Sequence, residues 1–484
     1  MGKELNKELE TLKKIAEMIV KMGGQIYFVG GYVRDFFTGK ENKDIDVEVY
    51  GLSPKQLKQI LSQFGEVDEV GASFGVYMVH GLSIDFALPR REIQGKVIEK
   101  EERIILPRTY EVMYMEEIKT KYPTYEIQIH AEEKFGHKDF IVIPDPFMSL
   151  KEATIRRDFT MNAMMKDVLT CELIDIWSGR DDIESQVIRH IDDKTFVEDP
   201  LRVLRACQFA SRFEFSIDQE TKELCQTIDL SSLAKERIFA EVEKALMKSM
   251  KPSIALEYMR ELLVVEKLFP ELEALIHCLQ DPVHHAEGTV WNHTKMVLDI
   301  ASSLKGKTSN PTKFMFGSLC HDMGKPNTTK EVNGRISSHG HEAEGEKVAE
   351  VFMKRITTDK RLIEGVKELT KHHMRLLSLY PNGSDKAIRK LSLDTNIQDL
   401  RWFSEADYRG RGLVEHDFTP ISLWFEERTK EVGADKEIQP LLTGKDLIEK
   451  GLKPGKEFGI LLQQALEYQL EGYNKEQIID RLFA

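Results

Sequence analysis

Two aspartates one residue apart, Asp44 and Asp46, follow a paired-glycine turn at Gly30-Gly31 and a basic residue, Arg34. From Asp44 to Val49 acidic and apolar residues alternate, which predicts a strand with its acids on one face. Carboxylates two positions apart on such a face lie about 7 Å from each other, and they repel unless a cation sits between them. Hard oxygen donors of this kind select Mg²⁺ or Mn²⁺. Glycines without a Cβ let backbone N–H groups approach a phosphate closely. The chemistry that suits this set is two-metal phosphoryl transfer from a triphosphate, with Asp44 and Asp46 as catalytic ligands. Asp85, in Ser83-Ile84-Asp85-Phe86-Ala87, reads either as a third ligand or as an exposed strand-end carboxylate.

A second stretch, Arg156-Arg157-Asp158-Phe159-Thr160-Met161-Asn162, carries paired arginines that can grip phosphate with two parallel hydrogen bonds. It also carries an aspartate able to accept from a ribose hydroxyl. Taken alone, such a stretch is more often a solvated helix start. A third constellation is histidine-rich: His293, His321-Asp322, His341, His372-His373 and Asp407. Neutral imidazoles with carboxylates form a metal-ligand set suited to transition metals. A degenerate, structural set is the other reading.

The elements that must position these groups change character along the chain. An amphipathic helix is expected over Leu5–Met22, then strands at Gln25–Val29, Ile45–Val49, Tyr77–Val79 and Ile84–Ala87. From about residue 91 to 138 the sequence is charged and without a core pattern, which reads as an insertion with a small hairpin near Tyr125–Ile129. From about Asp167 the periodicity is helical. Pro200, after Glu198 and Asp199, suits a helix start. His321-Asp322 is expected on an apolar helix ending at Gly324, and Gly-Leu-Lys-Pro-Gly at 451–455 breaks the tail.

The 484 residues are 41% hydrophobic and 31% charged, the composition of a soluble chain of two to four domains. No apolar run approaches the roughly 20 residues that span a bilayer, and the charged start lacks a signal-peptide core. Cys171, Cys207, Cys225, Cys278 and Cys320 form no C-x-x-C pair and read as buried, reduced thiols of a cytoplasmic protein. A net charge of −13 argues against a nucleic-acid-coated protein but allows a local basic groove.

In order, Gly30-Gly31-x-x-Arg34-Asp35, Asp44-x-Asp46, Arg156-Arg157-Asp158-Phe159-Thr160 and Glu198-Asp199-Pro200-Leu201-Arg202 resemble the class II tRNA nucleotidyltransferases, or CCA-adding enzymes. The related bacterial poly(A) polymerases share the pattern, and the resemblance covers residues 20–245. It implies an α+β chain: a polymerase-β-like nucleotidyltransferase head with a mixed sheet (1–165, insertion about 91–138) and a helical neck that selects the base (166–270). The histidine pattern resembles the HD phosphohydrolase domain fused to some of these enzymes, here expected at 271–415, with a helical tail at 416–484. The implied nucleotide contacts are Gly30, Gly31, Arg34, Arg157, Asp158, Asn162, Asp199, Arg202 and Arg205. Asp199 and Arg202, three apart on one helix face, would hydrogen-bond the edge of cytosine or adenine in place of a template.

The resemblance implies Mg²⁺ on Asp44 and Asp46, and Ni²⁺ or Mn²⁺ on His293, His321, Asp322 and Asp407, with tRNA, CTP and ATP as partners and a monomer or homodimer. His341 and His372 or His373 are further candidates. Arg205 and Arg237 read equally as neck salt bridges. Gln208, where the family commonly has a basic residue, and the long stretch from Pro89 to Arg156 depart from the pattern at the loop linked to the cytosine-to-adenine switch. A poly(A) polymerase or partial CC- or A-adding enzyme is the nearest alternative, although the chain lacks a basic RNA-holding tail. Further alternatives are a metal-dependent nucleotide phosphohydrolase and an RNA-binding module with vestigial sites.

Overall fold

The computed structural model describes residues 3–40, 44–70, 75–99, 102–106, 118–119, 122–129, 140–412, 417–435 and 438–483. The chain forms two compact units, Met1–Ser232 and Leu233–Ala484. The division falls inside the stretch expected as a neck.

The first unit is built on a seven-stranded mixed sheet. Its strands are β1 (Gln25–Val29), β2 (Ile45–Tyr50), β3 (Val67–Val70), β4 (Val76–Val79) and β5 (Ile84–Ala87), with two more from later in the chain. In and beside the insertion come β6 (Arg90–Gln94), β7 (Lys96–Ile98), β8 (Arg103–Leu106), β9 (Glu126–Ile129) and β10 (Phe140–Pro144). The main sheet then closes with β11 (Met165–Asp167) and β12 (Leu173–Ile174), in the order β12-β11-β1-β2-β5-β4-β3. Only β2 and β5 run parallel in it. The sheet therefore runs past residue 165, because β11 pairs with β1 through Val29 and Met165. The N-terminal helix Lys3–Lys21 supplies Leu12, Ile15, Ala16 and Ile19, all fully buried, at the spacing of one helical face.

The insertion differs from expectation where it is described. Strand β9 pairs in parallel with β8, and among the described residues it forms no hairpin. It also has a core of its own, Ile104, Leu106, Ile118, Ile141 and Ile143. Short segments far apart in sequence contribute one or two apolar residues each, so no periodic run announces this core. Residues 100–101, 107–117, 120–121 and 130–138 of the expected insertion lie outside the described residues.

Among the described residues the second unit is helical apart from one small hairpin, Lys330–Val332 with Arg335–Ser337. Helix Val290–Leu304 packs on Ile397–Arg409 and on Pro311–Cys320, and Lys360–His372 packs on Pro311–Cys320 and His341–Ile356. Phe314, Phe316, Phe352 and Phe403 fill the centre. Helix Thr419–Glu431 shares a core with Leu376, Leu391 and Leu400, while Leu442, Leu447, Ala465 and Ile478 make a separate terminal core. The break expected at 451–455 separates helices Gly444–Glu449 and Lys456–Leu470. Four cysteines are buried; Cys171, expected to be buried too, is exposed. Among the described residues no helix is long and apolar enough to cross a membrane.

Candidate active sites

In β2 the apolar residues Ile45, Val47 and Val49 are buried, which turns Asp46 and Glu48 to the opposite face, with Asp44 immediately before the strand. The parallel pairing of β2 with β5 sets Asp85 directly beside Asp46. Asp85 thus joins the acidic face. Burial raises the Asp46 carboxyl above its usual range, and the charges of Asp85 and Asp44 raise it further against the opposing pull of Arg157. Carboxylates held together at this cost favour a divalent cation. The donor set is all oxygen, which fits Mg²⁺.

The glycine turn faces this site. Gly30 has φ +63, and a Cβ there would stand 3.4 Å from Arg157 Nη1 and 4.0 Å from Asp46 Oδ2. The positive φ is what calls for glycine, since the space beside it would admit a Cβ in ordinary contact. Arg157 donates to the Asn162 carbonyl at 3.3 Å and lies 3.7 Å from Glu48 Oε2, which also accepts from the Tyr50 hydroxyl at 2.6 Å. Glu48 was legible as a same-face acid two residues beyond Asp46, but its tie to Arg157 was not.

Other residues expected at the nucleotide are placed differently. Arg34 is 5% exposed, and its guanidinium donates to Asp35 Oδ1 at 2.7 Å and to Asn162 Oδ1 at 2.8 Å while stacking near Phe209 and Phe213. Asn162 in turn donates to Asp158 Oδ1 at 2.9 Å, and Asp158 Oδ2 accepts from Arg205 Nε at 2.7 Å and faces its Nη2 at 2.6 Å. Arg34, Asn162, Asp158 and Arg205 therefore form one internal polar chain. It ties helix Gly31–Phe37 and the turn Thr160–Asn162 to helix Leu201–Phe213. Burial opposes the Asp158 charge, but the Arg205 cation and hydrogen bonds from Asn162, Arg205 and the Phe159 amide hold its carboxyl below the usual value. Arg34 and Asp158, both expected at the nucleotide, have these internal partners. Each needs a counter-charge once buried, and each finds it inside the fold.

Asp199 lies ahead of the helix that begins at Leu201 with Pro200 as its cap, so Asp199 and Arg202 do not share a helix face. They form a turn instead: the Arg202 amide donates to the Asp199 carbonyl at 3.0 Å, and Asp199 Oδ1 accepts from Leu201 N at 3.2 Å. The Arg202 guanidinium donates to the carbonyls of Thr195 (2.6 Å) and Arg156 (2.5 Å). Gln208 is 1% exposed, and its Nε2 has no hydrogen-bond partner.

In the second unit the histidine set converges. His293 sits in the first turn of Val290–Leu304, and His321-Asp322 follow the end of helix Pro311–Cys320, which stops short of the expected Gly324. Asp407 lies in the last turn of Ile397–Arg409. His293 Nε2 is 3.0 Å from Asp407 Oδ1 and 3.7 Å from Asp322 Oδ2, and His321 Nε2 is 3.3 Å from Asp322 Oδ2. His321 Nδ1 meets the Ser318 carbonyl at 2.8 Å, which leaves the ring's Nε2 a lone pair without a hydrogen-bond partner. Asp407 Oδ2 likewise lacks one. His341 and His373 complete the cluster, while His372 lies outside each donor triad. Compact His/Asp/Glu triads occur, among the described residues, only in this domain; the head's carboxylates are more open.

Two groups here, Glu287 and Lys325, carried no expectation. Glu287 Oε1 lies 2.9 Å from His293 Nδ1 and 2.8 Å from His285 Nδ1, fixing the His293 ring so that Nε2 faces Asp407 and Asp322. Burial opposes charge on His293, but hydrogen bonds to Asp407 and Glu287 carry its pKa up to about 9. The pocket thus favours a cation. Lys325 Nζ is 2.7 Å from Asp322 Oδ2 and donates to Gln280 Oε1 at 2.6 Å. Gly324 was visible as a helix breaker, but its role is spatial: a Cβ would lie 2.1 Å from the His341 carbonyl and 2.4 Å from the Gly345 amide. Only glycine lets the Asp322 turn close onto the helix that begins at His341.

Comparison with known proteins adds family relationships to this geometry. Residues 26–189 match the Poly A polymerase head domain, 214–276 the Probable RNA and SrmB- binding site of polymerase A, and 290–408 the HD domain. The chain is similar to the Multifunctional CCA protein of Actinobacillus pleuropneumoniae serotype 5b, with 31% identity over 432 residues, 86% of this chain and 93% of that protein. It also resembles the fold of the Thermotoga maritima CCA-adding enzyme complexed with tRNA_CCA (18% identity, TM-score 0.57, 99% and 97% of the two chains covered). The Bacillus stearothermophilus CCA-adding enzyme in complex with CTP gives 17% identity and a TM-score of 0.52, over 99% and 98%. A nucleotidyltransferase-type acidic strand beside a glycine turn, joined in one chain to an HD donor cluster and matched over most of its length, places this chain in the multifunctional CCA protein family.

Proposed function

We propose that this protein adds CCA to the 3′ end of tRNA from CTP and ATP, and that its HD domain hydrolyses phosphoesters. The observation that carries the first activity is the acidic face of Asp44, Asp46 and Asp85, met by Gly30 and Arg157. Asp44, Asp46 and Asp85 would hold Mg²⁺, which when bound neutralises the triphosphate and acidifies the attacking 3′ hydroxyl. Gly30 and Gly31 leave room for phosphate against the backbone, and Arg157 offers it a planar cation. Arg202 and Asp199 stand at the start of helix Leu201–Phe213, where they are suited to read the base edge. The chain Arg34–Asn162–Asp158–Arg205 keeps that helix in register with the glycine turn. The domain limits are proposed as a head through β12, a base-selecting segment after it, the HD domain and a terminal helical region.

In the HD domain, His293, His321, Asp322 and Asp407 would hold a divalent transition metal, whose bound water is the nucleophile that such ions supply. Glu287 holds His293 in the tautomer that presents Nε2, and Lys325 lies beside Asp322 where a substrate phosphate can be met. The chain belongs in the cytoplasm, with its tRNA substrate.

The decisive test incubates the protein and Mg²⁺ with tRNA ending at the discriminator base, giving CTP and ATP separately and together. CTP alone should add two residues, ATP alone none, and both together three. Long adenosine tails would indicate a poly(A) polymerase instead.

A further inference from the structure

We propose that Glu48 is a positioning residue of the head. It draws the Arg157 guanidinium along the strand face, away from Asp46, so that Arg157 meets the triphosphate while the Asp46 carboxylate stays free for Mg²⁺. The proposal rests on the reading of that face as a nucleotidyltransferase site and adds a residue to it.

The polar face of β2 does not end at Asp46. Glu48 and Tyr50 follow on the same side, because every second side chain of a strand points the same way. Tyr50 is 4% exposed and meets Tyr27 of β1 edge to face at 5.8 Å, in a core shared with Val29 and Met165. Leu150 and Ala153 pack on this core, so it seats helix Leu150–Ile155. That helix is capped by Arg156, and the Arg157 amide donates to the Thr154 carbonyl at 3.0 Å. Arg157 is thereby delivered to the boundary between the apolar and acidic parts of the face, where Glu48 stands.

Glu48 is anchored on one side and pulls on the other. Its Oε2 accepts from the Tyr50 hydroxyl at 2.6 Å and lies 3.7 Å from Arg157 Nη2. The first contact is a short hydrogen bond and the second an ion pair without one. Arg157 Nη1 donates to the Asn162 carbonyl at 3.3 Å. Nη1 and Asp46 Oδ2 flank one point, 3.4 and 4.0 Å from where a Gly30 Cβ would stand, and the Arg157 charge is felt at Asp46. A guanidinium beside two carboxylates is drawn to both. Two parallel hydrogen bonds to Asp46 would be the stronger pairing, and they would put a fixed cation where a divalent ion belongs. Glu48 supplies the competing charge, oriented by a phenol whose ring is locked in the core. With Oε2 committed to Tyr50 and Arg157, Glu48 acts through Arg157 and not on the metal.

The experiment measures binding without turnover. The α,β-methylene analogue of CTP, which the head cannot transfer, is bound to the full chain in equilibrium dialysis over a series of Mg²⁺ concentrations, and the Mg²⁺ midpoint is read. Glu48→Gln keeps the size of the side chain and an oxygen for Tyr50. It should raise the midpoint about tenfold or more, the usual cost of losing a group that orients a metal site from outside. Excess Mg²⁺ should restore binding. Arg157→Ala should weaken binding at every Mg²⁺ concentration, and adding Glu48→Gln to it should change nothing further. Tyr50→Phe, which removes only the anchoring hydroxyl, should shift the midpoint in the same direction, and it decides the matter if Glu48→Gln does not fold. An unshifted midpoint in the deciding variant, or a shift of equal size with and without Arg157, overturns the positioning role and leaves the nucleotidyltransferase site standing. Wild-type protein that fails to bind the analogue at any Mg²⁺ concentration overturns both.

Discussion

Replacing Arg205 by alanine separates a supporting role from a nucleotide contact. Arg205 meets the buried Asp158 carboxylate with two guanidinium nitrogens, at 2.7 and 2.6 Å, and Asp158 is 7% exposed. Removing one partner of a buried ion pair costs about 3–5 kcal/mol, since the other charge stays behind unpaired. Asp158 keeps hydrogen bonds from Asn162 Nδ2 and the Phe159 amide, and Arg205 is itself 31% exposed in its side chain. The expected loss is therefore at or just below the bottom of that range, about 2–3 kcal/mol. For a unit of this size that is a fall of roughly 4–12 °C in the unfolding temperature, read by calorimetry. The Asp158 carboxyl is held below its ordinary value in the folded protein. The contribution is thus present above about pH 4 and lost as pH falls through the lower folded value. Melting curves of wild type and Arg205→Ala should converge in acid. Adding Asp158→Asn should recover part of the loss at neutral pH by removing the stranded charge. If Arg205→Ala instead melts with wild type and weakens CTP binding tenfold or more, Arg205 is a substrate contact and the supporting chain is misread.

Asp46→Ala and Asp85→Asn should each lower CMP incorporation on the order of a hundredfold or more in a primer-extension assay with tRNA, as expected for groups that meet developing charge. A rate for Asp85→Asn within tenfold of wild type would return Asp85 to a strand-end carboxylate. Gly324→Ala should destabilise the second unit by about 3 kcal/mol, because its methyl meets backbone that cannot yield; a urea midpoint equal to wild type would refute this. In chelator-treated protein, the stability that His293 contributes should be complete below about pH 6.5 and lost as pH rises through its folded value of about 9. Urea titrations at several pH values should show that decline, and His293→Asn should flatten it.

Much of the chemistry was legible in residue order. The alternation from Asp44 to Val49 is enough to place Asp46 and Glu48 on one face, because side chains in a strand point alternately to either side. Paired glycines mark a tight turn wherever they occur, and His321-Asp322 with outlying histidines marks a metal-binding domain. Local periodicity also placed β1 and β5 at their observed residues. Pairing across the fold was not legible. Asp85 became a member of the acidic face only when β5 ran parallel beside β2, a choice made by the sheet and not by either strand. His373 rather than His372 turns inward because the close of helix Lys360–His372 fixes which of two adjacent rings meets Asp322. Likewise, nothing local distinguishes Arg157, which lies beside the acidic face of β2, from Arg34 and Arg205, which are drawn into a buried ion-pair chain. A charged side chain's role depends on which opposite charge tertiary packing brings within about 4 Å and how much water it excludes, and sequence spacing carries neither quantity.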